Sequence, residues 1–438
     1  MRIRRGLLGV AAGAVMAITA GGMTALPARP ALAGSFTNLR LPTGFSGGVD
    51  TEPSIKVGPD GTAYIGAIRG VPSGMDMWKV PAGASTATYL GSPDSLVPGN
   101  TICCAAIGGG DMDLAINNDG TVVYSSLWLG SITVGQSTNG GSSFISQPLG
   151  SVIVGDDRMW NTSDGSNVYM SFHDLATGNI DVEKSPAGPA AGLVYAPTGA
   201  GVFSPTAVPS NELGNLLADR LHSGVLYQPF TQSANGSSSH NQLDVAVSTD
   251  GGSSWTQHAV FTQPAGSDLD SDFPAIAEDH AGNLYAVASD NTHVLVSSST
   301  NGGATWSAPT NVNASGNAAV FPWIAAGGAG GAVVTWYQGT TTNPSNSANS
   351  WTVQSAESTN ANTAAPTYAV AQVSSGAVRQ GVICEGGLGC SDGRQLGDFF
   401  QVAVGPNGLA SVAWTDDGSG GGAAGDYYGT GGINLGAP

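Results

Sequence analysis

The sequence predicts an all-β fold closed into a ring, a seven-bladed β-propeller, with a six-bladed ring as the alternative. Three observations carry this expectation. One turn sequence recurs three times, a longer acid–strand–turn–strand pattern occurs seven times, and 66 glycines accompany few helix-forming periodic runs.

The recurring turn is Val245–Trp255, V-A-V-S-T-D-G-G-S-S-W, which returns at Val296–Trp306 and at Val134–Phe144 with the same spacing. Asp250, Asn301 or Asn139 turns the chain by bonding its own backbone, the Gly pair supplies positive φ, and the aromatic tucks beneath. Its job is structural. The longer pattern begins at Glu52, Asp111, Asp157, Asp219, Asp272, Phe321 and Asp398. Each unit reads as inner strand, Gly turn, aromatic-bearing strand, variable loop, third strand ending in Ser, turn box and fourth strand. Degenerate boxes fall where this scheme needs them, at Lys79–Tyr89, Lys184–Tyr195 and Glu357–Asn360. A repeated four-stranded unit without Pro/Ser/Thr linkers fits a propeller better than tandem sandwiches. The last unit runs short of a fourth strand, and Ser35–Leu41 is expected to supply it, removing an open sheet edge.

The N-terminus has basic residues (Arg2, Arg4, Arg5), an apolar run from Leu7 to Ala20, and Ala31-Leu32-Ala33 before Gly34. That is the pattern of a secretory signal peptide over residues 1–33, with a partial likeness to twin-arginine leaders, followed by one domain over 34–438. No later segment is apolar enough to span a bilayer. The chain's formal net charge is -18, and the leader carries four arginines and no acid, so the remainder is more acidic still. Nucleic acid and anionic membranes are poor partners for such a chain. A secreted, soluble monomer is expected.

Four cysteines fall in two groups, Cys103-Cys104 and Cys384 with Cys390. Export favours disulfides over metal thiolates, and no His lies near either group. A Cys384–Cys390 bridge closing E-G-G-L-G is favoured. Cys103 and Cys104 then bridge each other, or pair across to the second group.

The boxes, read as S-x-(D/N)-x-G-x-x-(W/F), resemble the Asp-box, or BNR repeat, of the sialidase superfamily, and the resemblance spans nearly all of residues 34–438. It implies the propeller fold, with the boxes on the outer rim and outside catalysis. Sialidases clamp a substrate carboxylate with three arginines and use a Tyr/Glu nucleophile couple and an Asp acid/base. Tyr427 or Tyr428 stands about where that nucleophile falls. The family's Arg-Ile-Pro signature is absent, however; Ile68-Arg69-Gly70-Val71-Pro72 is a loose echo, and Glu52 stands where a basic residue is wanted.

On the propeller plan, loops entering the inner strands converge on one mouth of the central channel. This places Glu52, Asp111, Asp157, Asp219, Asp272 and Asp398 around it. Packed carboxylates repel, so such a ring implies bound Ca²⁺, pairing to Arg, or raised pKa values suited to acid–base work. The competing reading has each acid capping neighbouring backbone. The catalytic candidates are Asp157, Asp272, Asp111 and Tyr427. The candidates for substrate contact are Arg69, Arg158, Arg220, Arg394 and His173, with inter-blade ion pairs as the competing role for the arginines. Gly108–Asp113 offers carbonyls plus Asp111 and Asp113, a Ca²⁺ cradle without EF-hand spacing.

Two functions are consistent with these residues. One is a secreted, sialidase-like glycoside hydrolase acting on extracellular glycans, with exo-α-sialidase activity as the family expectation. The other is a non-catalytic propeller binding glycans or proteins at the cell surface.

Overall fold

The computed structural model describes residues 34–44, 49–95, 108–128, 131–188, 192–199, 201–203 and 211–438. The predicted leader and Cys103 and Cys104 lie outside the described residues. The strands form seven antiparallel sheets, the blades of a seven-bladed propeller. Blade 1 runs outward through Thr51–Val57, Ala63–Ile68, Met75–Val80 and Thr88–Gly91. The inner strands of blades 2, 3, 5 and 6 are Met112–Ile116, Asp156–Ser163, Ala275–Glu278 and Ala319–Ala326. Blade 7 closes the ring as expected. Its strands Gln401–Val404, Ala410–Asp416 and Gly425–Gly431 are completed by Phe36–Arg40 from the other end of the chain, with Phe36 opposite Gly431 and Arg40 opposite Tyr427.

Blade 4 departs from the sequence reading. Its inner strand is broken at Gly214 into Asn211–Leu213 and Leu217–Ala218, both paired with Leu226–Gln232. Asp219 therefore follows the inner strand instead of leading into it, and sits at the opposite end of the channel. There it caps a turn, accepting from the Leu221 and His222 amides (both 2.8 Å) and the Tyr227 hydroxyl (2.8 Å).

The recurring turn joins third to fourth strands, as its spacing required. Ser248 Oγ donates to Asp250 Oδ1 (2.8 Å) and accepts from the Gly252 amide (2.9 Å), while Asp250 Oδ1 accepts from the Ser254 amide (2.9 Å). Asn301 and Asn139 make the same bonds. Gly252, at φ 87°, brings its backbone against the preceding blade, where Thr198 Oγ1 donates to its carbonyl (2.9 Å). Trp255 bonds the same carbonyl (3.1 Å) and is half-buried against the core. Trp255→Ala is therefore expected to cost about 2 kcal/mol, below the range for fully buried Trp. Chemical denaturation measures it, and an unchanged midpoint would show that the ring does not hold the turn.

Two features hold the inner strands together. Asp113, 1 % exposed, accepts from Ser54 Oγ (2.8 Å), Gln401 Nε2 (3.1 Å) and the Asn161 amide (2.8 Å), linking blades 1, 7 and 3 to blade 2. Beside it the rings of Trp160, Phe273, Trp323 and Phe399, from blades 3, 5, 6 and 7, pack at centroid distances of 5.0–6.4 Å and plug the channel. Trp323 also borders a cavity of about 350 Å³ at the far end.

Candidate functional site

The inner strands of blades 1, 3 and 6 start with a bulge whose residue has positive φ: Glu52 at 57°, Arg158 at 45° and Phe321 at 57°. Such backbone costs about 1–3 kcal/mol per residue and persists only where the surroundings over-determine it. A bulge re-aims the side chain. In blades 1 and 3 the re-aimed groups are charged, and they meet at the mouth.

Arg158 lies on the aromatic plug, its guanidinium carbon 4.0 Å from the Trp160 ring centre and 4.4 Å from that of Phe399. Cation–π attraction and a bond to the Met112 carbonyl (2.8 Å) hold it there. Its charge is met by Glu52 (3.4 Å) and Asp111 (3.6 Å). Arg394 grips Asp398 with two bonds (2.7 and 2.6 Å) and reaches Glu52 at 3.7 Å. Gly397 makes this approach possible, because a Cβ there would stand 2.2 Å from Glu52 Cγ. Both guanidiniums at the mouth are thus already paired with carboxylates.

Two further acids at the mouth are not paired. Asp272, at the head of blade 5, and Glu212, at the head of blade 4, make no hydrogen bond or ion pair among the described residues. Burial pushes the Asp272 carboxyl well above the usual range, and the charges of Glu212, Glu385 and Asp398 add to that. Glu212 is raised likewise, by burial and then by Asp270, Asp157 and Asp398. Asp157 stands exposed at the rim, opposite His173 in the strand pair, and is raised more modestly by burial and Asp111. His173 Nε2 bonds Asn211 (2.6 Å), and burial lowers its pKa. His240 pairs with Asp270 at 2.5 Å.

The Cys384–Cys390 disulfide forms as favoured, and its small loop carries Glu385 to the mouth, where Ser271 donates to it (2.6 Å). Sequence reasoning missed Glu385 and Glu212. The disulfide loop was a usable signal for the first. The broken inner strand hid the second, because the repeat pattern was matched one strand-length late, at Asp219.

Other candidates lie elsewhere. Arg69 is turned into blade 1, bonded to Ser92 (2.6 Å) and close to Asp76 (3.4 Å). Arg220 is exposed beside the far cavity. Tyr427 stacks on Trp414 and donates to the Ala423 carbonyl (2.8 Å), lining a side cleft by blade 7. Asp111 faces Arg158 whereas Asp113 serves the inter-blade clamp, and no third His, Cys, Asp or Glu among the described residues joins them as metal ligands.

The buried acids give stability a definite pH dependence. Burial raises Asp156, Glu278, Glu357 and Glu385 each to about 7. Their folded values exceed the unfolded ones, so they favour folding below about pH 4 and lose that contribution as pH rises through 7. Asp164 and Asp279, held low by hydrogen bonds, act oppositely and only as pH falls below about 4. Tm is expected to peak near pH 4–5 and fall through neutrality. A Tm that rises from pH 5 to pH 8 would contradict these shifts.

No protein-family model matches the sequence, and no curated protein matches it. Among solved structures, a GH74 xyloglucanase from Xanthomonas campestris aligns with a TM-score of 0.52 at 14 % identity, covering 87 % of this chain and 53 % of that one. The likeness is one of fold. A leech intramolecular trans-sialidase aligns at TM-score 0.46 and 11 % identity, covering 89 % of each chain. A Penicillium chrysogenum α-L-arabinanase aligns at 0.45 and 12 %, covering 91 % of this chain and 98 % of that one.

Proposed function

We propose that this propeller is a secreted glycoside hydrolase whose active site is the channel mouth and whose substrate is an uncharged extracellular glycan. One observation carries the reading. Glu212 and Asp272 are left unpaired at the same mouth, while Arg158 and Arg394 are already paired with Glu52, Asp111 and Asp398. An acid–base pair is what glycoside hydrolysis needs, and an open guanidinium clamp is what an anionic sugar needs. The mouth supports the first and offers nothing for the second, and its excess of carboxylates repels anions at long range.

Asp272, 9 % exposed and the more enclosed of the two, is the acid that keeps its proton and gives it to the leaving oxygen. Glu212, half-buried, is the partner that acts as base or nucleophile once it has given up its proton. Two interacting carboxyls hold one proton more readily than none, and the charge of Glu212 is the first neighbour, after burial, that raises Asp272.

The test is a panel of chromogenic glycosides, neutral pentosides and hexosides beside a sialoside, with Asp272→Asn and Glu212→Gln as controls. Cleavage of a neutral glycoside that both variants lose supports the reading. Cleavage of the sialoside alone overturns it. Binding of neutral glycans without turnover favours the non-catalytic propeller.

A further inference from the structure

A cleft of about 250 Å³ lies apart from the central mouth, between blades 6 and 7. One wall is the segment Ser374–Val378, which follows the outer strand Ala369–Gln372 of blade 6, and the other is the glycine-rich loop after Asp416 in blade 7. Asp416 and Gly425 stand opposite each other where the second strand ends and the third begins, so this loop opens on the face that carries the mouth. Thr415 Oγ1 fixes that end of the strand to the Asp50 carbonyl (3.3 Å), at the entrance to the inner strand of blade 1. The two walls are tied together. The Asp417 amide donates to the Val378 carbonyl (3.2 Å), the Gln380 amide donates to Ser419 Oγ (2.8 Å), and Arg379 pairs with Asp417. A few residues further on, the blade 6 segment becomes the disulfide loop that carries Glu385, so cleft and mouth share one stretch of chain.

The cleft is lined by two rings and edged by one carboxylate. Trp414 and Tyr427 lie near-parallel, at 14° with centroids 5.6 Å apart, and Tyr427 keeps part of its ring in solvent. Asp416 is 6 % exposed; its Oδ1 accepts from the Gly418 amide (2.8 Å), while its Oδ2 has no hydrogen bond among the described residues. A Cβ on Gly422 would stand 2.8 Å from that Oδ2, and one on Gly420 would meet the Ala377 carbonyl oxygen at 2.1 Å. Glycine at both positions therefore keeps the cleft open. A carboxylate so enclosed, with one oxygen lacking a donor, gains from a ligand that supplies one. No Lys, Arg or His is among the described residues that line the cleft.

We propose that this cleft is a distal subsite holding one neutral sugar unit of the glycan cut at the mouth, an assignment that rests on the hydrolase reading for its polymer. A sugar ring is apolar on its C–H faces and polar at its edges. Its face packs on the Tyr427 and Trp414 rings, where apolar surface leaves water, and its hydroxyls donate to Asp416 Oδ2. Pockets for drug-sized ligands run to about 300–1,000 Å³, so this one suits a single ring. An anionic sugar would meet Asp416 with no cation beside it to offset the repulsion. A polymer held at both cleft and mouth gains affinity from two points on one face.

The experiment is native affinity electrophoresis of the full chain in gels containing arabinan, xyloglucan, β-glucan or galactomannan, with anionic polygalacturonate as control. At least one neutral polysaccharide is expected to retard the protein, and polygalacturonate is not. Tyr427→Ala should weaken the retardation about tenfold or more, as loss of an aromatic anchor does. Ser375→Arg, at an exposed wall position, should do the same by filling the cleft without touching the rings, which keeps the test decisive if Tyr427→Ala folds poorly. Tyr427→Phe and Asp272→Asn should bind as the parent does. In Ser375→Arg, KM for the polysaccharide should rise about tenfold while turnover of a chromogenic monoglycoside is unchanged, because only the polymer reaches both places. A parent retarded by none of the neutral polysaccharides overturns the proposal, as does retardation that survives both Tyr427→Ala and Ser375→Arg. Displacement of the polysaccharide by tetramethylammonium also overturns it, since the rings and Asp416 would then form a cage for a cation. Retardation that Ser375→Arg abolishes, in a protein that cleaves no glycoside, upholds the cleft as a glycan site and sinks the hydrolase reading of the mouth instead.

Discussion

Asp272→Asn should leave a folded propeller whose turnover of a neutral glycoside has dropped by about 10²–10⁴-fold, the usual contribution of a positioned acid. KM should barely move, because the lost proton is needed only as the glycosidic bond breaks. Tm should stay level or rise. Asp272 makes no hydrogen bond or ion pair among the described residues, so the amide breaks no contact, and among Glu212, Glu385 and Asp398 it relieves repulsion only at a pH high enough to ionise the parent's carboxyl. That combination distinguishes a catalytic acid from a structural one: removing Asp113, which three blades use, should instead lower Tm strongly. Glu212→Gln adds a readout that a structural role does not move. Glu212 raises Asp272, so any residual activity of the variant should lose its alkaline limb at lower pH than the parent. Full activity in Asp272→Asn would move the acid's role elsewhere at the mouth, with exposed Asp157 the next residue to test.

Deleting residues 35–41 should be the most damaging change to the fold. Five paired residues, Phe36 to Arg40, would leave the edge of blade 7, and Leu41, 3 % exposed, would leave the core between blades 7 and 1. Net hydrogen-bond contributions of roughly 1 kcal/mol each and a buried Leu of about 2 kcal/mol sum to about 5–7 kcal/mol. That is comparable with the whole stability of many domains. The shortened chain should lack a cooperative melt at the parent's temperature and should aggregate through the unpaired Gly425–Gly431 edge. Calorimetry with light scattering measures both. A sharp transition near the parent's Tm would mean that the ring does not depend on this strand.

The propeller was legible because its signals are local and repeated. Asp250, Asn301 and Asn139 each build the same turn from residues within a few positions, so chain order alone reveals them. Closure by Ser35–Leu41 was legible for a related reason, since a strand was missing at one end and available at the other. The mouth was only partly legible. Glu52, Asp111, Asp157, Asp272 and Asp398 lead their strands and could be placed by pattern. Which acids are consumed by Arg158 and Arg394 depends on contacts between blades far apart in sequence, such as Arg394 with Glu52. Glu212 was hidden by a three-residue strand ending before Gly214, where neither alternation nor length marks an inner strand. Tyr427 was placed from the family plan, and its ring is instead committed to Trp414.

Under the proposed hydrolase function, the four-ring plug of Trp160, Phe273, Trp323 and Phe399 has a consequence for how a polymer would be handled. The propeller is a blind well, so no saccharide can thread from one side of the disc to the other. A long chain must either present its tip to the acids or lie across the opening, and whatever is released has to leave by the way it came in.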